Sequence, residues 1–137
     1  MRAVFDTNIY VSAFAFPGGR AEAALWKAVE GEVQLVLSKP IIHELLHVLA
    51  RKFGRDPEEL ARVAVFLSEL AEVVQPRRKI AVLTDDADNR ILECAATGRA
   101  DVIVTGDHAM LELGEYQGVR IITLKDFLEA TSQPRLH

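Results

Sequence analysis

The chain begins Met1-Arg2-Ala3-Val4-Phe5-Asp6-Thr7-Asn8, and no other stretch limits the possible folds as much. Ala3, Val4 and Phe5 are too continuously apolar for a strand with one solvated face, which predicts the buried central strand of a parallel sheet. An acid, a hydroxyl and an amide follow directly, so Asp6 and Asn8 fall at the carboxyl end of that strand. In open α/β sheets ligands bind at that edge, in the crevice where the strand order reverses. Two further apolar segments end in acids: Ile80-Ala81-Val82-Leu83-Thr84-Asp85 and Val102-Ile103-Val104-Thr105-Gly106-Asp107. As parallel neighbours, the three segments would gather their carboxylates at one edge.

Between these segments the apolar spacing alternates between strand and helix. Ile9 to Phe16 predicts a helix broken by Pro17-Gly18-Gly19. Ala21, Ala24, Leu25, Ala28 and Val29 repeat at helical spacing up to Gly31, and Val33 to Leu37 reads as the second strand. Ser38 is expected to cap a helix whose core stripe is Ile42, Leu45, Leu46, Leu49 and Phe53, ended by Gly54. Asp56-Pro57-Glu58-Glu59 opens the next helix with proline at its first position, and Leu60, Val63, Ala64, Leu67 and Leu70 continue it. Around the basic turn Arg77-Arg78-Lys79, either Val73-Val74 or Ile80 to Leu83 pairs in the sheet; the pattern admits both. Asp88 to Thr97 predicts a helix ending at Gly98, Val102 to Val104 a strand and Met110 to Leu113 a helical turn. Val119 to Ile122 predicts the last strand and Lys125 to Ala130 the last helix. No repeat, low-complexity tract or linker divides the chain, so one domain over residues 1–137 is expected. The expected class is α/β: a central, mostly parallel sheet flanked by helices on both faces, with right-handed crossovers.

Composition narrows the classes further. With 50% hydrophobic and 26% charged residues the chain is that of a folded domain, not a disordered segment. A net charge of −4 offers no broad basic surface, which counts against a nucleic-acid partner without excluding one, because bound cations add charge that composition does not show. The single Cys94 has no partner for an internal disulfide, and no signal-peptide pattern is present, so a reducing cytoplasm is the expected location. No apolar run approaches ~20 residues, and no membrane span is predicted. Trp26, Phe14 and Phe16 are expected in the core rather than on a partner surface.

Taken singly, the acids have plain readings. Asp6 is a good helix cap, Asp85, Asp86 and Asp88 suit the positive end of a helix dipole, and Asp107 suits a turn. Capping, however, does not call for acids from three strands at one edge. Glu44 shares a helix face with Ile41 and Val48, so it points toward packed structure, where a carboxylate needs a cation beside it. Clustered, Asp6, Glu44, Asp88 and Asp107 repel one another unless protons or divalent cations neutralise them. A set of hard oxygen donors without thiolates suits Mg2+ or Mn2+.

A competing motif overlaps Glu44. His43-Glu44-Leu45-Leu46-His47 fits H-E-x-x-H, the helical pair of histidines and catalytic glutamate of zinc proteases. Lys39, His43, His47 and Arg51 fall four residues apart, however, and form a continuous polar stripe expected to face solvent. Zinc histidines should face a cleft instead.

The residues quoted so far resemble a known family. Asp6-Thr7-Asn8, Glu44 within Glu44-Leu45-Leu46-His47-Val48-Leu49, the run Asp85 to Ala95 and the stretch Ala100 to Asp107 together resemble a PIN domain. The similarity is to the VapC-like toxin components of bacterial and archaeal toxin-antitoxin systems and extends from Met1 to about Leu128. It implies a Rossmann-like fold and a Mg2+- or Mn2+-dependent endoribonuclease, often a homodimer and held inactive by an antitoxin protein. By this resemblance Asp6, Glu44, Asp88 and Asp107 are the catalytic and metal-binding acids, and Asn8, Thr105 and Asp85 support them. Ala87 stands where close relatives often carry another acid, and Glu93 is a candidate outer ligand. The implied chemistry is hydrolysis of RNA phosphodiester bonds by metal-activated water, with Arg20, Arg51, Lys52, Arg55, Arg77, Arg78, Lys79 and Arg90 as candidate contacts to the RNA backbone. Two non-enzymatic readings share the architecture: an inactive PIN-like binding module, and a phosphoacceptor receiver domain. The receiver reading suffers because the first strand ends in one acid, not a pair.

Overall fold

The computed structural model describes residues 1–132, so the last five positions of the expected domain lie outside the described residues. Strand β1 (Arg2–Phe5) leads into α1 (Thr7–Ala15) and α2 (Arg20–Val29), and β2 (Gln34–Ser38) into α3 (Lys39–Phe53) and α4 (Pro57–Leu70). Then come β3 (Glu72–Val74), α5 (Asp86–Thr97), β4 (Val102–Val104), α6 (His108–Leu113), β5 (Glu115–Tyr116), β6 (Val119–Ile122) and α7 (Leu124–Thr131). The six strands form one sheet in the order β3-β2-β1-β4-β6-β5. All pairings are parallel except that of β5 with β6. From β1 the chain builds outward to β2 and β3, then returns to place β4 on the other side of β1. The strand order therefore reverses between β1 and β4, and the crevice that such a reversal opens lies at their carboxyl ends.

The apolar continuity of β1 has the expected cause. Ala3, Val4 and Phe5 are all fully buried because both sheet faces are covered. Phe5 packs edge-on to Phe127 of α7 and against Tyr10 of α1. On the opposite face α5 crosses β1, β2 and β4. Gly98 at the end of α5 sits so close to Val36 that a β-carbon there would collide with the valine Cγ1. Only glycine lets that helix end settle on the sheet. Gly54, with φ of +61°, closes α3 in the left-handed conformation expected of a terminating glycine.

Several expectations need correction. Ile80 to Asp85 is not a strand; Glu72–Val74 pairs with β2 instead. The segment is held by side chains of α5: Asn89 accepts from the Leu83 amide at 2.9 Å and donates to the Leu83 carbonyl at 2.8 Å, and Glu93 accepts from the Ile80 amide at 2.8 Å. The backbone of Ile80 and Leu83 is thus bound by side chains instead of a ladder, which an apolar run cannot announce. Strand β5 was not expected, because its hairpin turn is Gln117-Gly118, with φ of +49° and +83°, rather than a usual Asn-Gly pair. Ser38 precedes α3 but makes no side-chain cap bond, whereas Asp56 caps α4 as expected. Phe16 (60% exposed) and Trp26 (52%) lie on the surface, not in the core. Phe14 is half-buried against the core, as expected, with its ring edge-on to Phe66, whereas Phe16 leans outward on Phe53.

Candidate functional site

Asp6 and Asp107 approach each other because β1 and β4 are neighbours in parallel register, with Phe5 opposite Val104. The Asp6 amide continues the ladder by donating to the Val104 carbonyl at 2.9 Å. Thr105 then ties the two acids together. Its hydroxyl donates to Asp6 Oδ2 at 2.7 Å and accepts from the Asp107 amide at 3.0 Å. Thr105 is fully buried, and its bond to Asp6 is shielded from water. The carboxylate of Asp107 caps α6 by accepting from the Met110 amide at 3.0 Å.

The other two acids arrive on helices. Asp88 sits in the first turn of α5, only 8% exposed, and Glu44 projects from the second turn of α3 toward the Thr7 hydroxyl, 3.5 Å away. The edge is therefore assembled from two strand ends and two helices, not from three strands. Asp85 precedes α5 and caps it by accepting from the Ala87 amide at 2.9 Å. Asn8 lies exposed on α1, with its backbone amide favouring the charged Asp6 carboxyl, and Thr7 is buried beside Glu44. The hydroxyl in Asp6-Thr7-Asn8 was the available signal for that position.

Electrostatics show that these groups sense each other. Burial raises the Asp6 carboxyl above its ordinary range, and nearby Asp107 raises it further, against the lowering hydrogen bond from Thr105. Burial likewise raises Glu44, with Asp6 and Asp85 adding to it and Thr7 and His47 opposing. Asp88 is pushed up to about 7, first by burial and then by Asp107, Asp6, Asp85 and Glu44. Such a cluster of carboxylates, each disfavoured by the others, is a demand for positive charge. Among the described residues no three acidic, histidine or cysteine side chains converge tightly enough to enclose an ion directly. The donors still fit Mg2+ or Mn2+, since Mg2+ keeps several waters and takes one or two carboxylates rather than a full protein cage.

The remaining candidates divide clearly. His43, His47, Lys39 and Arg51 are all exposed, as a solvated stripe requires, and among the described residues the two histidines join no cluster of three candidate metal ligands. Glu93 Oε2 accepts from the Ile80 amide and pairs with Arg90, 3.1 Å away. Arg55 pairs with Glu59 and donates to the Phe14 carbonyl. Arg77, Arg78 and Lys79 are exposed and line a pocket near the sheet edge. Cys94 is buried, its thiol pushed up to about 12, which leaves it unreactive. No helix among the described residues is long and apolar enough to cross a membrane.

Known proteins are similar to this chain in sequence and in fold. Residues 2–109 match the sequence profile of the family described as PIN domain. The uncharacterized protein MJ1680 of Methanocaldococcus jannaschii is 23% identical, over 94% of this chain and 90% of its own length. Among solved structures, the chain is similar to one in VapBC2 from Rickettsia felis bound to a DNA fragment from their promoter, with a TM-score of 0.63 and 15% identity over 90% of this chain and 98% of that one. It is also similar to one in VapBC-1 from nontypeable Haemophilus influenzae, with a TM-score of 0.62 and 20% identity over 91% and 99% of the two chains. At these identities the structural likeness is one of fold.

Proposed function

The chain belongs to the PIN domain family, and from that premise we propose that it is a VapC-like, metal-dependent endoribonuclease that hydrolyses RNA phosphodiester bonds. The observation that carries this reading is the pair Asp6 and Asp107, bridged through Thr105 at the reversal of strand order, with Asp88 and Glu44 closing on them from two helices. Asp6 and Asp107 would be the principal ligands of Mg2+ or Mn2+, and Glu44 and Asp88 would hold its outer waters or a second ion. When bound, the cation supplies Lewis-acid charge at the phosphate and makes water a nucleophile at neutral pH. The protein's own part is orientation. Thr105 fixes the rotation of the Asp6 carboxylate by donating to Oδ2, and Thr7 lies within reach of Glu44 Oε2. Asp88 holds its proton to near neutrality in the absence of a cation, so cation binding is coupled to proton release from that carboxyl.

The partner reading is an antitoxin protein, a second copy of the chain, or both. It is supported by the fold likeness to chains of VapBC assemblies and by the outward aromatic band of Phe16, Trp26, Phe53 and Phe66. The activity is tested with purified protein, Mn2+ and single-stranded RNA. Wild type should cleave it, and Asp6→Asn and Glu44→Gln should each slow cleavage by about 100-fold or more, the scale for losing one electrostatic contact to a transition state. Equal rates for wild type and Asp6→Asn would overturn the assignment.

A further inference from the structure

Beside the acidic edge lies its electrostatic opposite. A pocket of about 550 Å3 is lined by Lys39, Arg77, Arg78, Lys79 and Arg90, with Glu93 the only acid in its wall. Such a concentration is unusual in a chain of net charge −4. Arg90 is paired with Glu93, but among the described residues Lys39, Arg77, Arg78 and Lys79 make no ion pair. The pocket's place follows from topology. Lys39 directly succeeds β2 and Gln75 directly succeeds β3, and the last residues of these parallel strands, Ser38 and Val74, are register partners. Both walls thus rise from the same sheet edge as Asp6, whose strand is the next neighbour of β2. Two inter-strand steps, about 10 Å, separate the ends of β1 and β3. Helix α5 links the two regions, carrying Asp88 toward the acids and Arg90 into the pocket wall. Between the cations, Pro40, Val74 and Pro76 supply apolar lining.

We infer that this pocket at the ends of β2 and β3 is a backbone-binding subsite for single-stranded RNA, holding phosphates adjacent to the one presented to the acids. It rests on the ribonuclease reading for its substrate, and it explains how an acidic protein grips a polyanion beside four carboxylates. Lys39 adjoins the acidic edge, and Arg77, Arg78 and Lys79 continue the basic surface along the side of α5 toward Ala96 and Thr97, so attraction along this flank offsets repulsion at the centre.

The test measures binding without turnover. In the full chain carrying Asp6→Asn, with Mg2+ present, a fluorescently labelled single-stranded RNA 12-mer is titrated by anisotropy across a salt series. Adding Arg77→Ala, Arg78→Ala and Lys79→Ala should weaken binding by about tenfold or more and flatten the slope of log K against log salt by about 2, three lost contacts at ~0.7 each on a single strand. Lys39→Ala, on the pocket's other wall and in a different element, should weaken binding and flatten the slope by about 0.7. It therefore decides the matter even if the triple variant fails to fold. Replacing Lys125, exposed on α7, a helix packed on α2 and contributing nothing to this wall, should change neither quantity. Unaltered affinity and slope in folded triple and Lys39 variants would overturn the subsite. RNA left intact by wild type with Mn2+, together with loss of binding in these variants, would sink the nuclease reading and support the subsite.

Discussion

Asp88 shows what the gathered acids cost. Its carboxyl moves from 3.8 to about 7, chiefly through burial and then through its acidic neighbours. Between those values the folded chain holds a proton that the unfolded chain has lost, so stability falls as pH rises, and the penalty is complete above about pH 7. Asp88→Asn removes the charge and keeps the shape. In EDTA at pH 7.5 it should raise the unfolding free energy by about 1 to 2 kcal/mol, allowing for water that reaches the carboxylate. The gain should fade by about pH 4 and shrink when Mg2+ is added. Denaturant titrations at several pH values check this, and a variant less stable than wild type at pH 7.5 would exclude the repulsion account. Thr105 is the complementary case, since it reduces the cost of keeping Asp6 charged. Thr105→Val preserves volume but leaves Asp6 Oδ2 and the Asp107 amide without their partner. A loss of about 1 to 3 kcal/mol in stability is expected, and calorimetry should show Mn2+ binding weakened by about tenfold or more.

Among the elements, the segment before α5 behaves least as its composition suggests. Ile80, Ala81, Val82 and Leu83 carry the residues of a strand, yet the place beside β2 goes to Glu72–Val74. What decides is distant pairing: β3 meets β2 directly after α4, whereas Asn89 and Glu93 bind the Ile80 and Leu83 backbone to the side of α5. That clamp also sets where α5 begins, and hence where Asp85 and Asp88 stand. Asn89→Ala should expose the Leu83 amide to hydrogen exchange while β1 and β4 amides stay protected, and should lower Mn2+ affinity through Asp88. Uniform loss of protection across the chain would show instead that Asn89 supports the fold as a unit. The strongly periodic helices were legible from residue spacing, with ends correct to within a residue or two. The two-residue strand β5 was not, because its existence depends on β6 being there to receive it.

For the assembled protein, the exposed aromatic band matters most. Phe16 and Trp26 contribute little to the core, so Phe16→Ser and Trp26→Ser together should shift stability by under about 1 kcal/mol. If the band is a partner surface, the same pair should reduce self-association or antitoxin binding by at least about tenfold, read by light scattering and titration with the partner protein. Unchanged association would place the partner elsewhere. Spacing alone could not separate these aromatics from core residues, since a helix face covered by its own fold and one awaiting a partner carry the same pattern. The amino-acid order did determine the α/β alternation, the buried strand at the start of the chain and the acids that follow β1 and β4, because these depend on periodicity and on neighbours along the chain. Which segment completes the sheet, which hydroxyl supports Glu44, and how basic residues from α3, the 75–79 loop and α5 share one pocket were decided only by the tertiary structure. Those features arise from contacts between residues tens of positions apart, and a linear pattern carries no record of such distances.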